Sequence, residues 1–117
     1  MATSQEGGAP LTERLAELDR LLEHRSRLAI CVLLSRESAI SFSRFKALLD
    51  ESDGNLGAHL RRLEDRGYIV VEKSFVDRKP RTVYRLTETG RRRLAAHLEA
   101  LQSLIAAGGP PLRHPTA

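Results

Sequence analysis

A chain of 117 residues with 41% hydrophobic residues and a formal net charge of +4 has room for one core and short tails. There is no length for a separate ligand domain, so any small-molecule effector would have to be sensed inside the domain or at a dimer interface. The lone cysteine, Cys31, lies in the apolar run Leu28 to Leu34, which excludes an internal disulfide framework and is too short to span a bilayer. Met1 to Pro10 carries no apolar segment of the secretory kind, and the reading is a cytoplasmic protein without a membrane partner.

Residues 1–10 and 108–117 are rich in glycine, proline and small side chains and are expected to be disordered tails around one domain at 11–107. Leu11, Leu15, Leu18 and Leu22 then recur at helical spacing, with Glu13 and Glu17 near the start where the helix dipole favours acids. This predicts a first amphipathic helix. His24-Arg25-Ser26 reads as a junction, and Arg27 to Ser35 as a second helix with so little polar surface that it belongs in the core. Ser41 is placed to cap a third helix, Phe42 to Asp50, whose inner face would be Phe42, Phe45, Leu48 and Leu49. The link Glu51 to Gly54, with Ser52 or Asp53 as the next cap, completes a helix-turn-helix.

In the following helix Leu56, Leu60 and Leu63 stand at i, i+4 and i+7 and form one buried stripe. Asn55, Ala58, His59, Arg61 and Arg62 are left on or beside the outward surface, and Gly57 and Ala58 are short enough for close approach to another molecule. Gly67 ends this helix as a left-handed cap; Tyr68 to Phe75 and Thr82 to Leu86 then read as two strands of a hairpin. Its tip, Asp77 to Arg81, carries Arg78, Lys79 and Arg81. Thr87 opens a final helix in which Leu94, Leu98, Leu101 and Ile105 form a stripe on an otherwise polar rod. A stripe needs a cover. With the first helix it predicts a dimer interface of Leu11, Leu15, Leu18, Leu22, Leu94, Leu98, Leu101 and Ile105.

From Lys73 to Arg93 the cations far outnumber Asp77 and Glu88, so the second half of the chain faces a polyanion. On a helix set between a turn and a hairpin, Arg61 and Arg62 suit guanine and Asn55 suits adenine, although each can instead hold a phosphate. His59 contacts backbone or a neighbouring side chain, or caps the edge of the core. Lys73, Arg78, Lys79 and Arg81, with Arg44 and Lys46, are the candidate phosphate contacts. Arg91-Arg92-Arg93 opposes the dipole of its own helix, and a functional role and a solvated face are equally consistent with that. Cys31 reads as a packed small hydrophobe rather than a redox switch. The four histidines lack ligand spacing, so no metal or cofactor is expected. No phosphate loop, no Gly-x-Ser-x-Gly elbow and no carboxylate cluster with a histidine is present, which argues against an enzyme and names no catalytic residue. Phe42, Phe45, Tyr68, Phe75 and Tyr84 fall mostly at core-like positions, which argues against RNA stacking.

Four segments carry a resemblance: Arg27-Leu28-Ala29-Ile30; Phe42-Ser43-Arg44-Phe45-Lys46; Asp53-Gly54-Asn55-Leu56 with His59-Leu60; and Lys79-Pro80-Arg81-Thr82 with Leu86-Thr87. In this order, over Leu11 to Ile105, the chain resembles the compact winged helix DNA-binding regulators of bacteria, of the MarR and ArsR type. The resemblance implies an α+β, mostly helical winged helix-turn-helix with a two-stranded hairpin wing and terminal dimerisation helices. It also implies a homodimer on double-stranded operator DNA, one recognition helix per subunit in adjacent major grooves, with wings on the flanking backbone or minor groove. The expected function is sequence-specific transcriptional regulation, with repression as the first reading. The paired cysteine and histidine ligands of metal-responsive relatives are missing here. A non-regulatory interaction module and a nonspecific architectural nucleic-acid binder are the alternatives.

Overall fold

The computed structural model describes residues 10–108, so the expected tails lie outside it apart from Pro10 and Gly108. Helix α1 spans Leu11–Ala16 and is followed by a 3₁₀ turn at Arg20–Glu23, then α2 at Arg25–Arg36. Strand β1 (Ile40–Ser41), α3 (Phe42–Leu48) and α4 (Asp53–Asp65) precede the hairpin of β2 (Ile69–Val76) and β3 (Lys79–Leu86). Helix α5, Glu88–Ala107, closes the chain. The first predicted helix is therefore broken. Asp19 adopts an extended backbone and its side chain accepts the Leu21 N–H, which starts a tighter turn in place of a continued α-helix.

Local chemistry fixes the helix starts. Ser41, Ser52 and Thr87 each accept a backbone N–H three residues on, from Arg44, Asn55 and Gly90. His24 caps α2 in the same manner, its ring nitrogen accepting from Ser26 N, which sets the start of α2 before the expected Arg27. Helix α4 ends in a Schellman motif: Gly67 takes φ +80°, its N–H donates to Glu64 O and the Tyr68 N–H donates to Leu63 O, both at 2.9 Å.

The sheet is antiparallel with order β1-β3-β2, so the expected two-stranded wing gains a short third strand at its root. Ile40 pairs with Tyr84 and Ser41 with Val83. Strands β2 and β3 pair from Ile69↔Leu86 to Val76↔Lys79, around a turn of only Asp77 and Arg78 at φ 52° and 67°. Two left-handed central residues make a type I′ turn, whose twist matches that of the strands. Lys79, Pro80 and Arg81, expected in the tip, are thus strand residues. Proline is tolerated there because β1 stops at the level of Val83 and leaves that edge of β3 open.

One core joins Leu22, Ile30, Cys31, Leu34, Ile40, Phe45, Leu56, Leu60, Leu63, Tyr68, Ile69 and Leu94. Leu48, expected to face inward, is exposed, since α3 ends at that residue and its last turn has left the core. Burial pushes the Cys31 thiol up to about 12, with the Asp19 charge adding to it, so the sulfur stays protonated and inert. Asp19 also ties distant segments together: its N–H donates to His97 Nδ1 at 2.9 Å, and its carboxylate accepts from the Tyr68 hydroxyl. Where α5 begins, a methyl group on Gly90 would come within 2.1 Å of the Tyr68 carbonyl oxygen, and the Thr87 hydroxyl donates to Gly67 O at 2.6 Å. Helix α5 is therefore seated directly on the end of α4. No helix among the described residues is long and apolar enough to cross a membrane.

Candidate nucleic-acid interface

With Leu56, Leu60 and Leu63 all buried, the opposite side of α4 is open. Asn55, Ala58, Arg61 and Arg62 are exposed there, as are Asp65 and Arg66. Gly57 and Arg61 lie on the flank that meets the wing, where they line an open cavity of ≈ 420 Å³ with Val71, Lys73, Thr82 and Tyr84. A Cβ on Gly57 would meet nothing within 4 Å, so no contact among the described residues demands glycine at that point.

The other flank of α4 carries Asn55, His59, Arg62 and Arg66, at i, i+4, i+7 and i+11. His59 is not free. Its Nδ1 lies 3.1 Å from Arg27 Nη1 and its Nε2 lies 3.4 Å from Glu51 Oε2. A guanidinium only donates, so Nδ1 accepts and the neutral ring carries its proton on Nε2, toward Glu51. Burial and then the nearby His24 hold His59 below its ordinary value of 6.5, outweighing the pull of Glu51. Glu51 in turn accepts from the Ser26 hydroxyl, and that bond leads the causes that hold its carboxyl below 4.5. Burial, then the charge of Arg62, opposes the Arg27 cation.

His24, Glu51 and His59 place three potential metal-ligand atoms within 4.8 Å of one another, a grouping that spacing along the chain does not reveal. The two imidazoles are engaged elsewhere. His24 Nδ1 accepts the Ser26 N–H, and a metal at His59 Nε2 would need the tautomer that Arg27 opposes. The cluster orients α4 against α2. A clearer omission of the sequence reading is the company of Arg62. It lines an open cavity of ≈ 400 Å³ with Arg20, Arg27, Arg66 and Arg93, where Asp19 is the one acid. The i+4 and i+7 spacing from Asn55 through Arg66 is the signal that could have found that flank.

Along the wing Lys73, Arg78, Lys79 and Arg81 are exposed, and none is in an ion pair among the described residues. Arg44 and Lys46 differ. Arg44 pairs with Glu37 at 3.0 Å, and Lys46 pairs with Asp53 at 3.2 Å and donates to Glu51 O at 2.8 Å. Both are held by the fold, so their charge is already partly spent on it. Phe75 corrects the sequence reading: it is no core residue but is 75% exposed, because the ribbon extends past the body.

Two members of the expected dimer interface are also corrected. Leu22 is fully buried and Leu94 is 5% exposed, both inside their own subunit, the first through the 3₁₀ turn and the second where α5 lies on the core. Leu11, Leu15, Leu98 and Ile105 remain exposed, and Leu18 and Leu101 are half-buried. Helix α1 packs on α5, where Arg14 donates to the Ser103 hydroxyl.

Residues 26–105 match the family model described as winged helix DNA-binding domain. An uncharacterized protein of Methanocaldococcus jannaschii is 34% identical over 65 residues, covering 56% of this chain and 71% of that protein. Among solved structures, a transcriptional regulator homologue protein from Pyrococcus horikoshii OT3 superposes with a TM-score of 0.77 at 32% identity, over 84% of this chain and 99% of that one. Bacillus subtilis PadR in complex with operator DNA gives a TM-score of 0.55 at 20% identity, over 78% of this chain and 53% of that one, a likeness of fold alone. With α4 presented between the α3 turn and a β2–β3 wing, and with that match spanning the core and both basic elements, the chain belongs to the winged helix DNA-binding domain family.

Proposed function

We propose that the protein is a sequence-specific transcriptional regulator that binds double-stranded operator DNA as a cytoplasmic homodimer and represses by occupying a promoter. The observation that carries this reading is the distribution of unpaired cations. Arg61 and Arg62 on α4, with Lys73, Arg78, Lys79 and Arg81 on the wing, have no ion-pair partner among the described residues, whereas Arg44, Lys46 and Arg85 do. Basic side chains left open on a helix and on the adjoining ribbon suit a duplex, with phosphates met by the wing and base edges by the helix. The exposed Leu11, Leu15, Leu98 and Ile105 supply the surface for a second copy. That PadR was solved with operator DNA, and that the Pyrococcus protein is a transcriptional regulator homologue, supports the same reading.

The test selects duplexes from a randomised pool and measures affinity for the selected and for random DNA at two salt concentrations. Arg81→Ala should weaken both alike and reduce the slope of log K against log salt by about one. Arg62→Ala and Asn55→Ala should cost roughly 1–3 kcal/mol on the selected duplex and much less on random DNA. Equal losses on both would identify a nonspecific, architectural binder instead.

A further inference from the structure

The alternation of β2 and β3 sorts the wing into two faces. Val71 pairs with Tyr84, Lys73 with Thr82 and Phe75 with Pro80, so these six share one face. Ser74 with Arg81 and Val76 with Lys79 occupy the other. The root of the first face borders α4, since Val71, Lys73, Thr82 and Tyr84 line the cavity shared with Gly57 and Arg61. Followed outward, that face changes from a cation, Lys73, to an apolar pair, Phe75 and Pro80, toward the tip of the ribbon. Nothing among the described residues covers the ring, which is 75% exposed.

Phe75 stands four residues beyond Val71, a distance of about 13 Å along a strand. With α4 centred in a major groove about 12 Å wide, the flanking phosphate ridge is roughly 6 Å away and the minor groove opens behind it. Lys73 then falls at the ridge and Phe75 past it. Arg78 at the tip, with Lys79 and Arg81 on the far face, meets the phosphates that wall that groove, which selects a polyanion as occupant over an apolar partner.

We infer that Phe75, backed by Pro80, is an apolar wedge that enters the minor groove beside the recognition helix and favours duplexes with easily unstacked steps. This deepens the DNA-binding reading and rests on it. Pyrimidine–purine steps open cheaply whereas A-tracts are stiff, so the wedge contributes specificity without a hydrogen bond to any base.

The chain contains no tryptophan, so the F75W protein carries a single indole at the wedge. Its emission and its access to acrylamide are to be read at saturation with alternating poly(dA-dT) duplex and with homopolymeric poly(dA)·poly(dT). Fluorescence anisotropy of labelled DNA reports binding independently. The expected result is quenched emission and shielding on the alternating duplex, with the indole still open on the stiff one. F75A should lose about tenfold in affinity for the alternating duplex and at most about twofold for the A-tract, in line with the worth of one aromatic–base contact. An indole as open to acrylamide in the saturated complex as in free protein would overturn the wedge while leaving DNA binding intact. Absence of an anisotropy change with either duplex at low salt would overturn both readings. A fall in particle mass on F75A, with DNA affinity per subunit unchanged, would reassign the ring to a subunit contact and overturn the wedge.

Discussion

Gly57 occupies a helix interior, where glycine destabilises by roughly 0.5–1 kcal/mol relative to alanine. Since a Cβ there meets nothing within 4 Å, the fold would gain from the substitution. Gly57→Ala is therefore expected to raise stability by about 0.5–1 kcal/mol in thermal melts while weakening DNA binding, because the added methyl stands where α4 approaches the duplex. An unchanged DNA affinity would remove Gly57 from the interface. His59 makes a different prediction. Its folded value lies below the ordinary 6.5, so the unfolded chain takes up the proton first as pH falls. The stability contributed by the neutral ring is complete above that value and is lost as pH drops through the lowered one. Glu51, held below 4.5, adds a second loss at more acid pH, with the same sign. Melting temperatures from about pH 8 to about pH 2 should show both declines, and His59→Gln should flatten the upper one while retaining the lower.

At the level of elements, the hairpin turn holds Arg78 at φ 67°, a conformation that costs an ordinary L-residue roughly 1–2 kcal/mol. Asp-Gly is the preferred pair for such a turn, so Arg78→Gly should stabilise the hairpin by about 1 kcal/mol. The same change removes a wing cation, and the salt slope of DNA binding should fall by about one. A stabilised wing with an unaltered slope would take Arg78 off the phosphate backbone. The helix starts were legible because Ser41, Ser52 and Thr87 act on N–H groups three residues away, a purely local matter. Leu22 and Leu48 were misread because the direction a leucine faces depends on where its helix stops, and Asp19 stops the first one early. Phe75, placed by the sequence at a core-like position, shares the face of Ile69, the buried start of β2, but sits where nothing among the described residues packs on that face. The surroundings of His59 were illegible for another reason: Arg27 reaches it from α2 and Glu51, itself bonded by Ser26, from the link before α4, and only the packed fold brings them together.

For the whole molecule, Leu98 and Ile105 are 40% and 72% exposed on a helix whose first turns lie on the core. Leu98→Glu with Ile105→Glu should leave the subunit folded, since neither is buried, and halve the mass seen by light scattering. A mass unchanged from that of a dimer would place its contact elsewhere, and a one-subunit mass before substitution would remove the proposed dimer. The seat of Gly90 on the Tyr68 carbonyl gives this arrangement a mechanical meaning. A 20-residue helix is about 30 Å long, and a tilt of roughly 10° at its base would carry its far end about 5 Å. With no slack at the seat, α5 behaves as a fixed strut, and in a dimer joined through it the span between the two reading heads is a matter of helical phase. One residue inserted between His97 and Leu98, beyond the buried Leu94 and His97, would turn the joining face by about 100° and advance it about 1.5 Å, so the distance between operator half-sites would change through the pitch of α5 and not through any alteration of the DNA-facing residues.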